Sequence, residues 1–96
     1  MAIIYRLFSK SCDSFYVGST TKTLKQRLGK HVHKSHEAPN RKIYKYILES
    51  GGFKDWEMEA LEEFVTDSAI ERRTREQYYI DKLKPNLNSC LAIVIG

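Results

Sequence analysis

Cysteine is scarce in this chain, and the two present, Cys12 and Cys90, lie far apart without the paired spacing of a zinc ribbon or a disulfide framework. Both read as reduced, structural thiols. No segment approaches the roughly 18 consecutive apolar residues that a membrane span requires. The N-terminal Met-Ala-Ile-Ile-Tyr-Arg lacks a basic region followed by a long apolar run, so no signal peptide is expected and the reading is intracellular, cytoplasm or nucleus. Internal repeats and low-complexity linkers are absent as well. Ninety-six residues leave little room for a second core, so one domain over residues 1–96 is expected.

What is there suits a globular fold rather than a disordered chain, with enough apolar and aromatic residues for one core. The net charge of +4 is moderate, but its distribution is uneven. Lys22, Lys25, Arg27, Lys30, Lys34, Arg41, Lys42 and Lys45 crowd one quarter of the sequence, while acids dominate from Asp55 to Glu63. A basic face of this kind suits a polyanionic partner, and it also suits an ordinary solvated helix.

Residues 2–8 and 15–18 are rich in β-branched and aromatic types and flank the polar loop 9–14, the pattern of a hairpin. If Phe8 pairs with Phe15, Tyr5 falls opposite Gly18 and Tyr16 opposite Leu7, which puts both phenols on one face as diagonal neighbours. Ser19, Thr20 and Thr21 are N-cap candidates for a helix reaching about Lys34, with Leu24 and Leu28 on its apolar stripe, His31 within the stripe and Arg27 at its edge. A second helix is expected from Pro39-Asn40, with Ile43, Tyr44, Ile47 and Leu48 at helical spacing and Gly51-Gly52 as its stop. A third strand is expected from Trp56 to Val65. Ser68 and Glu71 form a capping-box pattern that opens a last helix, ended by Pro85. The apolar segment 90–96 is open to several readings, among them an edge strand or an oligomer contact.

On that last helix, at about 100° per residue, positions 73, 76, 80 and 83 stay within about 40° of one line. Glu76 thus stands on the stripe that Ala69, Ile80 and Leu83 would face inward. A carboxylate there costs several kcal/mol unless it is compensated. Two compensations are open, a salt bridge to Arg27, Arg72 or Arg73, or a hard divalent ion, which takes one or two carboxylates and completes its sphere with water and phosphate oxygens.

Arg27 and His31, four residues apart, reach the same ligand, and a planar guanidinium suits a phosphate. His31, His33 and His36 are spread around their helix, unlike the i, i+4 pairs of zinc helices. Tyr5 and Tyr16 serve packing or chemistry, the latter if nearby cations or a metal-bound water depress a phenol.

The order of these residues resembles the GIY-YIG nuclease superfamily, which includes catalytic domains of homing, restriction and excision-repair types. Ile3-Ile4-Tyr5 stands for its first signature and Tyr16-Val17-Gly18 for its second. Arg27 with His31 stands for its helix motif, Glu76 for its metal ligand, and Asn88 closes the last motif after Lys84-Pro85. Nearly the whole chain is covered. Ile3 departs from the family by replacing the first glycine, and Val17 stands for an isoleucine.

The resemblance implies an α+β domain, a three-stranded antiparallel sheet flanked by helices in the order ββααβα. It implies a DNA endonuclease dependent on Mg²⁺ or Mn²⁺ that leaves 5′-phosphate and 3′-hydroxyl ends. Glu76 then holds the metal, Arg27 the phosphoryl oxygens, Tyr16 the phosphate or water, and Asn88 orients substrate or site. The base is Tyr5 as a phenolate or His31 as a neutral imidazole. Lys22, Lys25, Lys30 and Arg41 are candidates for DNA backbone contacts. A catalytically silent nucleic-acid-binding module of the same fold is the alternative, and a protein-interaction domain using the C-terminal tail is a third reading.

Overall fold

The computed structural model describes residues 1–88, so Cys90 and the apolar segment 90–96 lie outside the described residues. Strands β1 (Ala2–Ser9), β2 (Phe15–Thr20) and β3 (Trp56–Phe64) form one antiparallel sheet in the order β2-β1-β3. Helices α1 (Leu24–Glu37) and α2 (Lys42–Glu49) connect β2 to β3 through a 3₁₀ turn at Phe53–Asp55, and α3 (Ala69–Leu83) follows the sheet. The order ββααβα expected from the sequence is the one observed. No helix among the described residues is long and apolar enough to cross a membrane.

Central β1 needs apolar residues on both faces, which is why Ala2, Ile4, Tyr5 and Leu7 are all fully buried. The hairpin register is the expected one, with Tyr5 opposite Gly18, Leu7 opposite Tyr16 and Phe8 opposite Phe15. On β3 the alternation of apolar and polar residues is only partial because a bulge opposite Ile4 and Tyr5 interrupts the ladder. Beyond it Glu62 pairs with Ile4, on the face where Arg75 and Tyr79 of α3 reach it. The main core lies on the other face. Leu7, Ile43, Tyr44, Ile47, Trp56 and Leu87 meet there.

Several boundaries differ from the sequence reading. β2 runs through Thr20, so α1 is capped not by Ser19, Thr20 or Thr21 but by Thr23, in a reciprocal capping box with Gln26. The helix extends past Lys34 to Glu37, and α2 begins at Lys42 rather than at Pro39-Asn40. Leu48, assigned above to the apolar stripe of α2, is largely exposed. β3 ends at Phe64, leaving Val65 exposed. The expected inward stripe of α3 is weaker than its spacing suggests. No residue of α3 is fully buried, Ala69 and Leu83 are exposed, and Glu76, Tyr79 and Ile80 are only half-buried. The helix lies against β2 and β1 along a shallow contact.

After α3, Lys84 turns into the left-handed region, φ 52°, which ends the helix ahead of Pro85. The chain then docks on the outer edge of β2. The Asn86 carboxamide oxygen accepts from Phe15 N–H, Leu87 N–H donates to the Phe15 carbonyl, and the Asn88 carboxamide pairs with both backbone groups of Val17 at 3.0 and 2.8 Å. An edge strand that would otherwise present free donors and acceptors is thereby closed.

Replacing Asn88 by Ala removes both of those bonds and is expected to cost about 1–3 kcal/mol. For a domain of this size that lowers Tm by about 4–8 °C per kcal/mol. Hydrogen exchange at the Val17 amide should accelerate with it. Unchanged exchange at that amide would show that Asn88 does not hold the strand.

Candidate functional site

Five elements send polar side chains to one point. β1 supplies Tyr5, β2 supplies Tyr16, α1 supplies Arg27 and His31 one turn apart, α2 supplies Tyr44, and α3 supplies Glu76. Tyr5 stands over Gly18 because the two are register partners. A Cβ at position 18 would lie 2.6 Å from the Tyr5 hydroxyl and 2.9 Å from the Tyr16 ring. Only glycine leaves room for the phenol there.

The Tyr5 hydroxyl accepts from Arg27 Nε at 3.0 Å and lies 2.6 Å from His31 Nε2. His31 Nδ1 in turn lies 2.9 Å from the Tyr44 hydroxyl. Tyr16 completes the group, its ring 6.4 Å from that of Tyr5 and edge-on to His31 at 5.5 Å. The centre of the group is deep in the protein, with Tyr5 fully buried and His31 2% exposed, while Tyr16 and Arg27 are half-buried.

Burial sets the protonation states. Desolvation, with the Tyr16 phenol beside it, raises the Tyr5 pKa well above its ordinary value, and the Arg27 charge and hydrogen bond offset only part of that. The neighbouring cations by themselves do not depress Tyr5, because removal from water outweighs them. Tyr16 is pushed up to about 12 by burial and by Glu76. His31 is pushed down to about 3, first by burial and then by Arg27, Lys34, Arg41 and Lys30. It is a neutral imidazole across the physiological range.

Glu76 is half-buried, and burial raises its pKa against a hydrogen bond from Ser19 and the charges of Arg27, Arg72 and Arg73. It makes no direct ion pair with any of those arginines among the described residues. Within the described residues no three His, Cys, Asp or Glu side chains gather, and His33 instead pairs with Glu37 at 3.0 Å. The oxygen donors near Arg27 are the Glu76 carboxylate and hydroxyls, the Ser19 one bonded to Glu76 among them, a hard oxygen set. That set fits an ion that keeps most of its waters.

Beside Arg27 opens a cleft of about 350 Å³, lined by Ser19, Thr20, Thr21, Lys22, Gln26, Arg27, Lys30, Lys34 and Arg72, with no carboxylate on its wall. Of the four backbone-contact candidates from the sequence, Lys22 and Lys30 line it. Lys25 and Arg41 do not, and the Arg41 guanidinium lies over the Tyr44 ring at 5.8 Å. Lys34 and Arg72 were missed as candidates, although Arg27, Lys30 and Lys34 share the i, i+3, i+7 spacing of one helix face. Tyr44 was missed because it sits in an apolar helical stripe, and only the need of a buried imidazole for two partners points to it.

With this geometry in view, the matches to known proteins fall into place. The family model described as the GIY-YIG catalytic domain matches residues 1–88. The structure of the catalytic domain of the homing endonuclease I-TevI shares the fold, with a TM-score of 0.70 over 92% of this chain and 94% of that one at 23% identity. No curated protein matches the chain significantly in sequence. A signature that extends from the first strand to the asparagine after α3, on the fold that carries it, leaves one assignment: the chain belongs to the GIY-YIG catalytic domain family and is a nuclease domain.

Proposed function

We propose that the domain is a divalent-metal-dependent endonuclease that hydrolyses DNA phosphodiester bonds to 5′-phosphate and 3′-hydroxyl ends. The observation that carries this reading is the hydrogen-bonded chain Arg27–Tyr5–His31, which begins at a carboxylate-free basic cleft and ends inside the protein. Structural packing alone gives no reason to bury two phenols and an imidazole under an arginine whose remaining donors face a cleft.

In this reading a DNA strand lies in the cleft, its phosphates against Lys22, Lys30, Lys34 and Arg72, with Lys25 and Arg41 outside it. Arg27 spends Nε on Tyr5 and keeps its two terminal nitrogens for the oxygens of the scissile phosphate. Tyr5 is the base. Its oxygen takes a proton from the attacking water while its own proton passes to His31 Nε2. His31 is the second acceptor, and its neutrality leaves Nε2 open at neutral pH.

The depressed imidazole and the raised phenol oppose that transfer in the free protein. Burial holds His31 down first and cations second, and DNA relieves the second part because its phosphates neutralise Arg27, Lys34 and Lys30. The base therefore strengthens when substrate is present. Tyr16, more exposed than Tyr5, contacts the phosphate or positions the water, and Asn88 keeps β2 and its tyrosine in place. Glu76, hydrogen-bonded to Ser19 on the cleft wall, would hold Mg²⁺ or Mn²⁺, and the ion would supply positive charge for the leaving 3′ oxygen.

Glu76→Gln is expected to abolish nicking of supercoiled plasmid while the protein still melts cooperatively, and titration calorimetry should show that Mn²⁺ affinity is lost. A variant that cuts at the wild-type rate would remove Glu76 from the metal site.

Tyr5→Phe keeps the packed ring and is expected to bind DNA yet cleave at least about 100-fold more slowly, the scale of a lost general base. His31→Ala should retain part of the activity, since water can enter and accept the proton. Substantial activity in Tyr5→Phe together with a dead His31→Ala would transfer the role of base to the imidazole.

Stability should follow pH at both ends. The folded His31 pKa is depressed, so between about 6.5 and 3 the unfolded chain binds a proton that the folded one refuses. Stability present above pH 6.5 is then lost as pH falls toward 3. Tyr5 and Tyr16 have raised pKa values, so their contribution is complete below about pH 10 and is lost as pH rises toward 12. Melting curves across this range should show both slopes, and His31→Gln should flatten the acid one. An acid slope unaffected by that variant would mean that His31 is not the group responsible.

A further inference from the structure

We infer that Tyr44 is a positioning residue for the reaction, the group that fixes which nitrogen of His31 carries the proton. The inference rests on the proposed role of His31 as the acceptor for Tyr5. An imidazole can accept from Tyr5 only while Nε2 is bare, so the single ring proton of neutral His31 must be on Nδ1. Nδ1 is 2.9 Å from the Tyr44 hydroxyl, within reach of a hydrogen bond in which Nδ1–H donates and Tyr44 accepts.

The opposite tautomer is open to the same pair of contacts, so the two must be compared by what each leaves unmade. With the proton on Nε2, the Tyr5 oxygen would accept from both His31 and Arg27 Nε, and its own hydrogen would have no acceptor. Tyr5 is fully buried, and an orphaned buried donor costs about 1–3 kcal/mol. With the proton on Nδ1, Tyr5 donates to Nε2 along the short 2.6 Å contact and accepts from Arg27, and both of its roles are filled. The hydrogen left over then belongs to Tyr44, itself 2% exposed, so the choice between the tautomers falls to the short Tyr5–His31 contact and the Arg27 donor, which together make Tyr5 the phenol with both roles filled.

The fold also favours this order. Arg27 donates into Tyr5 and so makes that phenol the stronger donor of the pair, a polarisation that runs along the chain from the cleft inward. Tyr44 is itself held by its neighbours, 2% exposed in the core with Ile43, Ile47 and Leu7. Its ring stands edge-on to His31 at 5.9 Å. A neutral hydroxyl in this place orients the imidazole as a carboxylate would, but without adding a negative charge that would raise its pKa.

The test uses uniformly ¹⁵N-labelled protein and long-range ¹H–¹⁵N correlations of the imidazole rings, with the His31 signals assigned by their loss in His31→Gln. Neither DNA nor metal is needed. Wild-type His31 should show a protonated Nδ1 and a bare Nε2, and Tyr44→Phe, which keeps the core ring, should shift His31 toward the other tautomer. In cleavage assays Tyr44→Phe should lower kcat about 10–100-fold, on the scale of outer hydrogen-bond partners of metal-bound imidazoles, with KM for DNA unchanged.

Wild-type protein with the proton on Nε2 would overturn the assignment, whatever the variant does. So would a Tyr44→Phe protein that keeps the Nδ1–H tautomer and full kcat. If the tautomer is as stated and moves in Tyr44→Phe while wild-type protein cuts no DNA under any metal, the proposed cleavage reading fails and Tyr44 still positions His31.

Discussion

The hydroxyl of Tyr5 is the point on which the site depends, because it is removed from water and is satisfied only by two side chains from another element, Arg27 and His31. A phenol buried this completely must be matched in position by its partners to within a few tenths of an ångström. That requirement fixes α1 against the sheet. It also fixes Gly18, since any Cβ there would collide with the same oxygen. The hairpin register, the phase of α1 and the glycine of the second signature therefore follow from one hydrogen-bonded atom.

Charge around that atom is one-sided. Arg27 touches it directly, and beside it stand neutral groups, the Tyr16 phenol with its raised pKa and an imidazole held neutral. Farther out Lys30, Lys34 and Arg72 line the cleft without carboxylates between them, and the charge of Glu76 raises both phenols. A cleft of unneutralised cations destabilises the free protein and attracts a polyanion for the same reason, self-repulsion. Burial comes first in keeping the imidazole unprotonated, and Arg27, Lys34 and Lys30 of the cleft add to it.

Much of this was legible in the sequence because it is periodic. Strand alternation placed Tyr5 and Tyr16 on one face, and the spacing of Arg27 and His31 placed them on the sheet side of α1, as the structure shows them. What failed did so where periodicity says little. The cap of α1 moved to Thr23 because β2 pairing continues through Thr20, and strand pairing outranks local capping preference. The α3 stripe was read from angles alone, which give a direction but not the depth of burial, and α3 lies too shallowly to bury any residue among those described. The weight of burial on Tyr5 was not legible, since neighbours can be read from sequence and desolvation cannot. Tyr44 stayed hidden in an apolar pattern for the opposite reason, its ring packing as the pattern demands while its hydroxyl does something else.

The two glycines of the family signature are not equivalent, and this chain shows why by keeping only one. Gly18 lies directly under the Tyr5 hydroxyl, where a methyl group would meet the phenol at less than contact distance. Ile3 stands two residues before Tyr5 on the same strand face, paired with Thr20 and Glu63. It is only half-buried, and its side chain lines a separate cavity with Thr21, Thr23 and Gln26 at the start of α1. A branched residue there extends the strand by propensity and covers the capping turn of the helix that carries Arg27. Ile3 therefore stands apart from the buried Tyr5–His31 group and forms an apolar wall beside the basic cleft, with Thr21, Lys22 and Gln26 common to both hollows. A side chain at position 3 meets none of Tyr5, Tyr16, Arg27 or His31 in its hollow, whereas one at position 18 would meet both phenols.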